Sequence, residues 1–222
     1  MARTYPLSVA SFWDLIVADL ATVDQFSLGE SRQFNVTGAG QIIDANLGTR
    51  LWASGVALVP KSHHSMSEIE AQIEVLLEAG ASFMAYDPRK LFPAKDATGR
   101  VLGAASVTLS TVNANNRDIA LAGLPSGYVL TAGDMFSFSY LSSPTRYALH
   151  RVVVGGAATT GGVASVEVTP PIRAGYTLGV AVALSKPQML AKIVPGSYQP
   201  STGSSGRLSS GLSFKITQSL RP

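Results

Sequence analysis

The sequence predicts a mainly β protein, of sandwich or barrel type, with one amphipathic α-helix packed on its N-terminal sheet. Two observations predict this. Met135–Leu141 and Tyr147–Val154 alternate apolar and polar residues around Ser142-Ser143-Pro144, and a Gly155–Gly162 link leads on to VASVEVT, so Gly127–Arg173 reads as a β-meander. Pronounced helical periodicity occurs once, at about Met66–Ala79, where Ile69, Ile73, Leu76 and Leu77 form an apolar stripe behind a Ser65-Met66-Ser67-Glu68 capping box. Gly80 stands where a C-terminal cap belongs, and Glu70, Glu74 and Glu78 decorate the other face.

The remaining elements follow in chain order. Ser11–Leu20 is expected as a short helix, capped by Ser11, with Phe12, Leu15, Ile16 and Leu20 on one side. Gly38 and Gly40 bracket a turn, Gln41–Asp44 reads as a short strand, and Gly48 marks a second turn. Leu51–Val59 is a strand whose Trp52, Val56 and Leu58 share a face, and Pro60 stops it. Ser82–Tyr86 resumes as a strand. The connection Asp87–Gly103 then carries two prolines, two glycines and the cations Arg89, Lys90, Lys95 and Arg100. Long connections of this kind are commonly functional or interface-forming.

That connection predicts a division into residues 1–104, an N-terminal β region with the helix, and 105–222, a second β domain. Ser106–Val112, Asp118–Leu121, the meander and Val180–Leu184 supply strands to the second part. Residues 196–211 are flexible in composition, and Leu212, Phe214 and Ile216 recur at period two, which predicts a terminal strand available to a neighbour's sheet edge.

Composition narrows the function. Charged residues make up 14% of the 222 residues, against roughly 25% in an average globular chain. Either the surface is Ser/Thr/Gly-rich, or other subunits cover much of it. The net charge of +3 is spread along the chain without a Lys/Arg cluster, which argues against duplex nucleic acid as a ligand. With no cysteine there is no disulfide scaffold, thiol nucleophile or Cys-ligated zinc. Asp14 and Asp19 interrupt any signal-peptide core, and no apolar run approaches the ~18 residues of a membrane span, so a soluble product made in the cytoplasm is expected.

The residues offer little to chemistry. His63 and His64 are adjacent and point to opposite faces of an extended segment, and His150 lies within a strand as a packed or interface histidine. No GxSxG elbow, P-loop or GxGxxG is present, and the Gly-Ser tract near Ser204 lacks strand–turn–helix context. Asp87, Asp96 and Asp134 fall in turns and Glu167 on a strand, each with an ordinary structural role. The chain is therefore expected not to be an enzyme and to need no cofactor or metal. A carbohydrate-binding β-sandwich for host-surface attachment is the alternative, with Trp13, Trp52, Tyr128, Tyr140, Tyr147, Tyr176 and Tyr198 as candidate platforms, although Trp52 and Tyr147 keep register with apolar neighbours.

A series of ordered phrases carries a resemblance: Leu51-Trp52 with Val56-Ala57-Leu58, the IEAQIEVL helix, Tyr86-Asp87-Pro88-Arg89, Gly123-Leu124-Pro125, Leu130-Thr131-Ala132-Gly133-Asp134, Leu149-His150-Arg151-Val152 and Val168-Thr169-Pro170-Pro171-Ile172-Arg173. From about Leu51 to Pro195 the chain resembles tail proteins of siphovirus-type bacteriophages and prophages, most of all distal tail or tail-tip structural proteins. The resemblance implies a virion protein of the tail tip, assembled in the host cytoplasm. It would close into a homo-oligomeric ring, commonly a hexamer, at the end of the tail tube, leaving a channel for DNA in transit. Its partners would be the tail tube protein, the baseplate hub and tail fibre or receptor-binding proteins. The 1–104 region would form the ring. Intersubunit contacts are expected at Arg89, Lys90 and Arg100 of the long connection and at Leu212, Phe214 and Ile216 of the terminal strand.

Overall fold

The computed structural model describes residues 4–203 and 206–221 and is mostly β. A single turn at Val9–Ser11 leads into α1 (Trp13–Ala18), shorter than the expected Ser11–Leu20 helix. The helix stops there because Leu20 is drawn into β1 (Leu20–Val23), paired antiparallel with β5 (Trp52–Leu58). Between them lie β2 (Ser27–Leu28), β3 (Arg32–Val36) and β4 (Ile42–Asn46). In β5, Trp52, Ser54, Val56 and Leu58 all face inward, the period-two pattern of a half-buried strand. After β6 (Lys61–Ser62) comes α2 (His63–Leu76), which begins three residues before the expected start because Ser62, not Ser65, is the cap: its Oγ accepts from the Ser65 N–H. Met66, Ile69, Ile73 and Leu76 of α2 are buried in the same cluster as Trp52, Val56 and the strand β7 (Phe83–Tyr86).

The chain then builds a second unit: β8 (Thr108–Val112), β9 (Asp118–Ala122), β10 (Val129–Leu130), β11 (Met135–Tyr140), β12 (Arg146–Val154), β13 (Gly156–Ala157), β14 (Ala164–Thr169) and β15 (Val182–Ala183). Its sheet runs in the order β15-β11-β12-β14-β9-β8. The Leu109 N–H donates to Val180 O (3.0 Å) and the Val182 N–H to Val107 O (2.8 Å), which joins β8 to the 179–182 segment entering β15. The sheet therefore closes on itself as a barrel, filled by side chains such as Phe136, Leu109, Leu121 and Val168. Gly123, at φ +84°, is needed at a corner: a Cβ there would lie 2.1 Å from Ser106 O.

The return path corrects the expected division at 104/105. β16 (Gln188–Ile193), which the sequence patterns do not single out, pairs with β7, and β19 (Ser213–Gln218) lies between β16 and β5. The first sheet is thus β1-β5-β19-β16-β7, built from both ends of the chain. The barrel replaces the turn of a β7–β16 hairpin, and its entry and exit touch where the Lys186 N–H donates to Leu91 O (2.7 Å). The 196–211 stretch forms β17 (Thr202–Gly203) and β18 (Leu208–Ser210), with β18 paired to β6; Ser204 and Ser205 of the Gly-Ser tract lie outside the described residues.

The two units share a seam. Trp52 is fully buried, its indole N–H donating to Leu149 O (2.8 Å), while the Arg151 guanidinium lies 4.8 Å from the Trp52 ring and donates to Phe26 O (2.7 Å). Met135 and Leu149 come from barrel strands but pack in the core of the first unit. Burial lowers the pKa of Arg151, and Asp87 opposes that shift.

Candidate functional site

The structure disperses the residues expected at an interface. Leu212, Phe214 and Ile216 are no more than 2% exposed and fill the first core beside Val56 and Trp52. They cannot present a strand to a neighbour; β19 is central in its own sheet, hydrogen-bonded on both sides. Arg89 folds back on its own chain, with Nε and Nη2 donating to the buried carboxylate of Asp87 at 3.3 Å each. Lys90 is half-buried and Arg100 exposed, so of the six residues Arg100 alone is fully displayed without an intramolecular ion pair.

The long connection is held down by three buried carboxylates. Asp87 accepts from Arg89. Asp96 accepts from the Val101 N–H (3.2 Å), the Leu102 N–H (2.8 Å) and the Tyr128 hydroxyl (3.4 Å). Asp134 accepts from the Ala94 N–H and from the Thr131 N–H and hydroxyl. Burial pushes the Asp96 carboxyl up, but its hydrogen bonds from the Leu102 and Val101 amides and Tyr128 outweigh that and leave it below the usual carboxylate range. The same contact, added to burial, raises the Tyr128 phenol. These acids act as turn formers, and they pin the segment joining the two units.

Three places come nearest to a chemical site. Ser209 Oγ lies 2.7 Å from His63 Nδ1, a nucleophile–base separation. No carboxylate among the described residues is bonded to His63, however, and the pair ties β18 to the start of α2. Asp118 and Glu167 stand directly opposite each other across β9 and β14 in an open groove of about 370 Å³, with Thr111, Asn113 and Ser165. Asp118 accepts from the Asn115 amide. His150 is fully buried between Phe136 and Phe138, each ring centroid 5.5 Å away. Its Nδ1 bonds Pro170 O (2.8 Å) and Nε2 has no partner among the described residues, and burial, with Arg173 nearby, lowers its pKa to about 4. No group of three His, Asp or Glu residues among the described residues is arranged to hold a metal ion. Trp13, Trp52, Tyr128 and Tyr140 are buried, and Tyr147, Tyr176 and Tyr198 are half-buried, so the expected aromatics form no open stacking platform for sugars.

The most unusual surface is one the sequence reading did not single out. From Gly29 to Arg50 no residue is buried. Among the described residues β3 and β4 pair only with each other, and their ribbon projects as an arm that prolongs the β2–β5 ladder: the Gly29 N–H donates to Leu51 O and the Leu47 N–H to Ser31 O. Arg50 clamps the base by donating to Gly29 O and Leu28 O. Phe34, Val36, Ile42, Ile43 and Leu47 are each 62–68% exposed. Phe34, Val36 and Ile42 share one face, since Val36 sits opposite Ile42 and Phe34 opposite Asp44. Arg32 forms ion pairs with Asp44 and Glu30 nearer the base. Only the Gln41–Asp44 strand was legible locally; β3 reads RQFNV, with too few apolar residues to stand out.

Compared with known proteins, the sequence matches no protein-family model and no curated protein. No described helix is long and apolar enough to cross a membrane.

Proposed function

We propose that this chain is a structural assembly subunit rather than an enzyme, and that its assembly is a homo-oligomeric ring at the tip of a siphovirus-type tail. The observation that carries the reading is the arm. A two-stranded ribbon with five large apolar side chains in water is marginal by itself, and an exposed apolar patch of this kind marks a surface that a partner covers. The low content of charged residues is accounted for in the same way, because a ring subunit contacts two neighbours and stacks on proteins above and below.

The role is mechanical. The first unit, which carries the arm, would form the ring and leave a passage for DNA. The inserted barrel would lie towards the outside and offer its faces to the hub and to fibre or receptor-binding proteins. The tail position itself rests on the resemblance of the phrases from Leu51 to Pro195. Negative-stain imaging of purified protein tests the reading: rings of uniform diameter support it, and particles of monomer size at all concentrations refute it. A monomer that binds glycans on an array would instead favour the host-attachment module.

A further inference from the structure

We propose, resting on the assembly reading above, that the Gly29–Arg50 arm of one copy seats its apolar tip in the groove between α1 and α2 of a second copy. The contact is heterologous, so it propagates head to tail and closes as a ring when the rotation per copy allows.

Three observations point to this occupant and this seat. The first is shape and chemistry. The groove has a volume of about 590 Å³; Leu15, Ile69 and Ala71 supply its apolar lining, and Asp19, Lys61 and Glu68 its charges. Leu15 is 45% exposed there and gives the groove an apolar wall open to solvent. The arm is the matching object, an apolar tip of Phe34, Val36 and Ile42 above the charged base formed by Glu30, Arg32 and Asp44.

The second is position. The arm leaves the body at the Trp52 end of β5, where Leu28 pairs with Trp52. The groove opens at the other end, where Leu20 pairs with Leu58, the Val59 N–H donates to Asp19 O, and Lys61 is paired with Asp19. Seven residues of strand at about 3.3 Å each separate the two by about 20 Å. The arm prolongs the strand away from the body, so it cannot fill the groove of its own chain. Donor and seat at opposite ends of one strand are the geometry of a head-to-tail contact.

The third is extent. The arm presents about twenty residues, so beyond the seated tip its flanks are free to meet the surface around the groove and approach the roughly 20–30 residues a side of a stable interface. A second copy is the partner for which both complementary surfaces are present on the chain.

The chain has no cysteine, so an engineered pair reports the contact directly. Val36→Cys combined with Ala71→Cys should give a ladder of disulfide-linked oligomers under mild oxidation, while either single variant stops at a dimer or below. Phe34→Glu (arm) and Ala71→Arg (seat) should each be monomeric by light scattering with unchanged circular dichroism. Mixed together, they should form a heterodimer of twice the chain mass, since one arm and one seat remain intact. Phe34→Glu assembling like the native chain would overturn arm docking and leave the assembly reading standing. A monomeric Phe34→Glu together with a normally assembling Ala71→Arg and no ladder would overturn the seat alone. A native chain that stays at 23.2 kDa would remove the assembly reading itself.

Discussion

The two β units solve the problem of sheet edges in opposite ways. The inserted barrel closes β8 onto the segment leading to β15, so the ends of its six-stranded sheet find each other. The first unit stays open, ends in the short edge strand β1 beside the ribbon it extends into solvent, and relies on both termini of the chain to complete its sheet. The closed unit pairs its own sheet edges, whereas the open one carries an apolar arm exposed to solvent. Association should therefore belong to the first unit, and the barrel should respond mainly to conditions that reach its interior.

The largest expected effect is at the seam. Trp52→Ala removes a fully buried indole, its bond to Leu149 O and the ring beneath Arg151, and should cost about 3–5 kcal/mol of stability. Chemical denaturation with probes in each unit checks it, and a loss confined to the first unit would break the picture of a shared seam.

A comparable change should follow from pH alone, in the barrel. The folded His150 has a pKa of about 4, below its ordinary 6.5. As pH falls through 6.5 the unfolded chain takes up the proton first. The neutral, buried imidazole therefore supports the fold fully above pH 6.5, and this is lost as pH drops towards 4, by about 3 kcal/mol in total. His150→Phe should flatten this segment of the stability profile. An unchanged slope between pH 6.5 and 4 would show that protonation of His150 is not what the barrel resists.

Asp134→Ala should act more weakly, at about 2 kcal/mol, by leaving the amides of Ala94 and Thr131 without their acceptor. Hydrogen exchange at those two amides would rise first. The smallest folding effect is expected on the arm, where Phe34→Ser should change monomer stability by no more than about 0.5 kcal/mol. Thermal unfolding at a concentration low enough to hold the monomer checks it, and a large loss would mean that the arm is part of the core.

Much of the barrel was legible because its strands announce themselves. Met135–Tyr140 and Arg146–Val154 are rich in aromatic and β-branched residues, and Ser142-Ser143-Pro144 separates them, although both strands bury residues on both faces where Met135 and Leu149 reach the first core. His150 as a packed histidine and the turn aspartates could be read for the same local reasons. Long-range pairing could not. Leu212, Phe214 and Ile216 carry the right period for a strand, but nothing in their spelling says that Val56 and Ile193 are their neighbours. β16 carries no local strand signal, because QMLAKI mixes a lysine and a glutamine into a buried strand. The arm is legible only in part, because its apolar residues face solvent, whereas a local apolar pattern points to a core. That inversion is what makes the arm the candidate site.

The arm is the element on which assembly is expected to depend. The direct measurement is the light-scattering mass of the native chain beside that of Phe34→Glu, both at the same concentration. The expected result is a uniform multiple of 23.2 kDa for the native chain and a single 23.2 kDa species for the variant. Equal masses for the two proteins, whether monomeric or assembled, would contradict it.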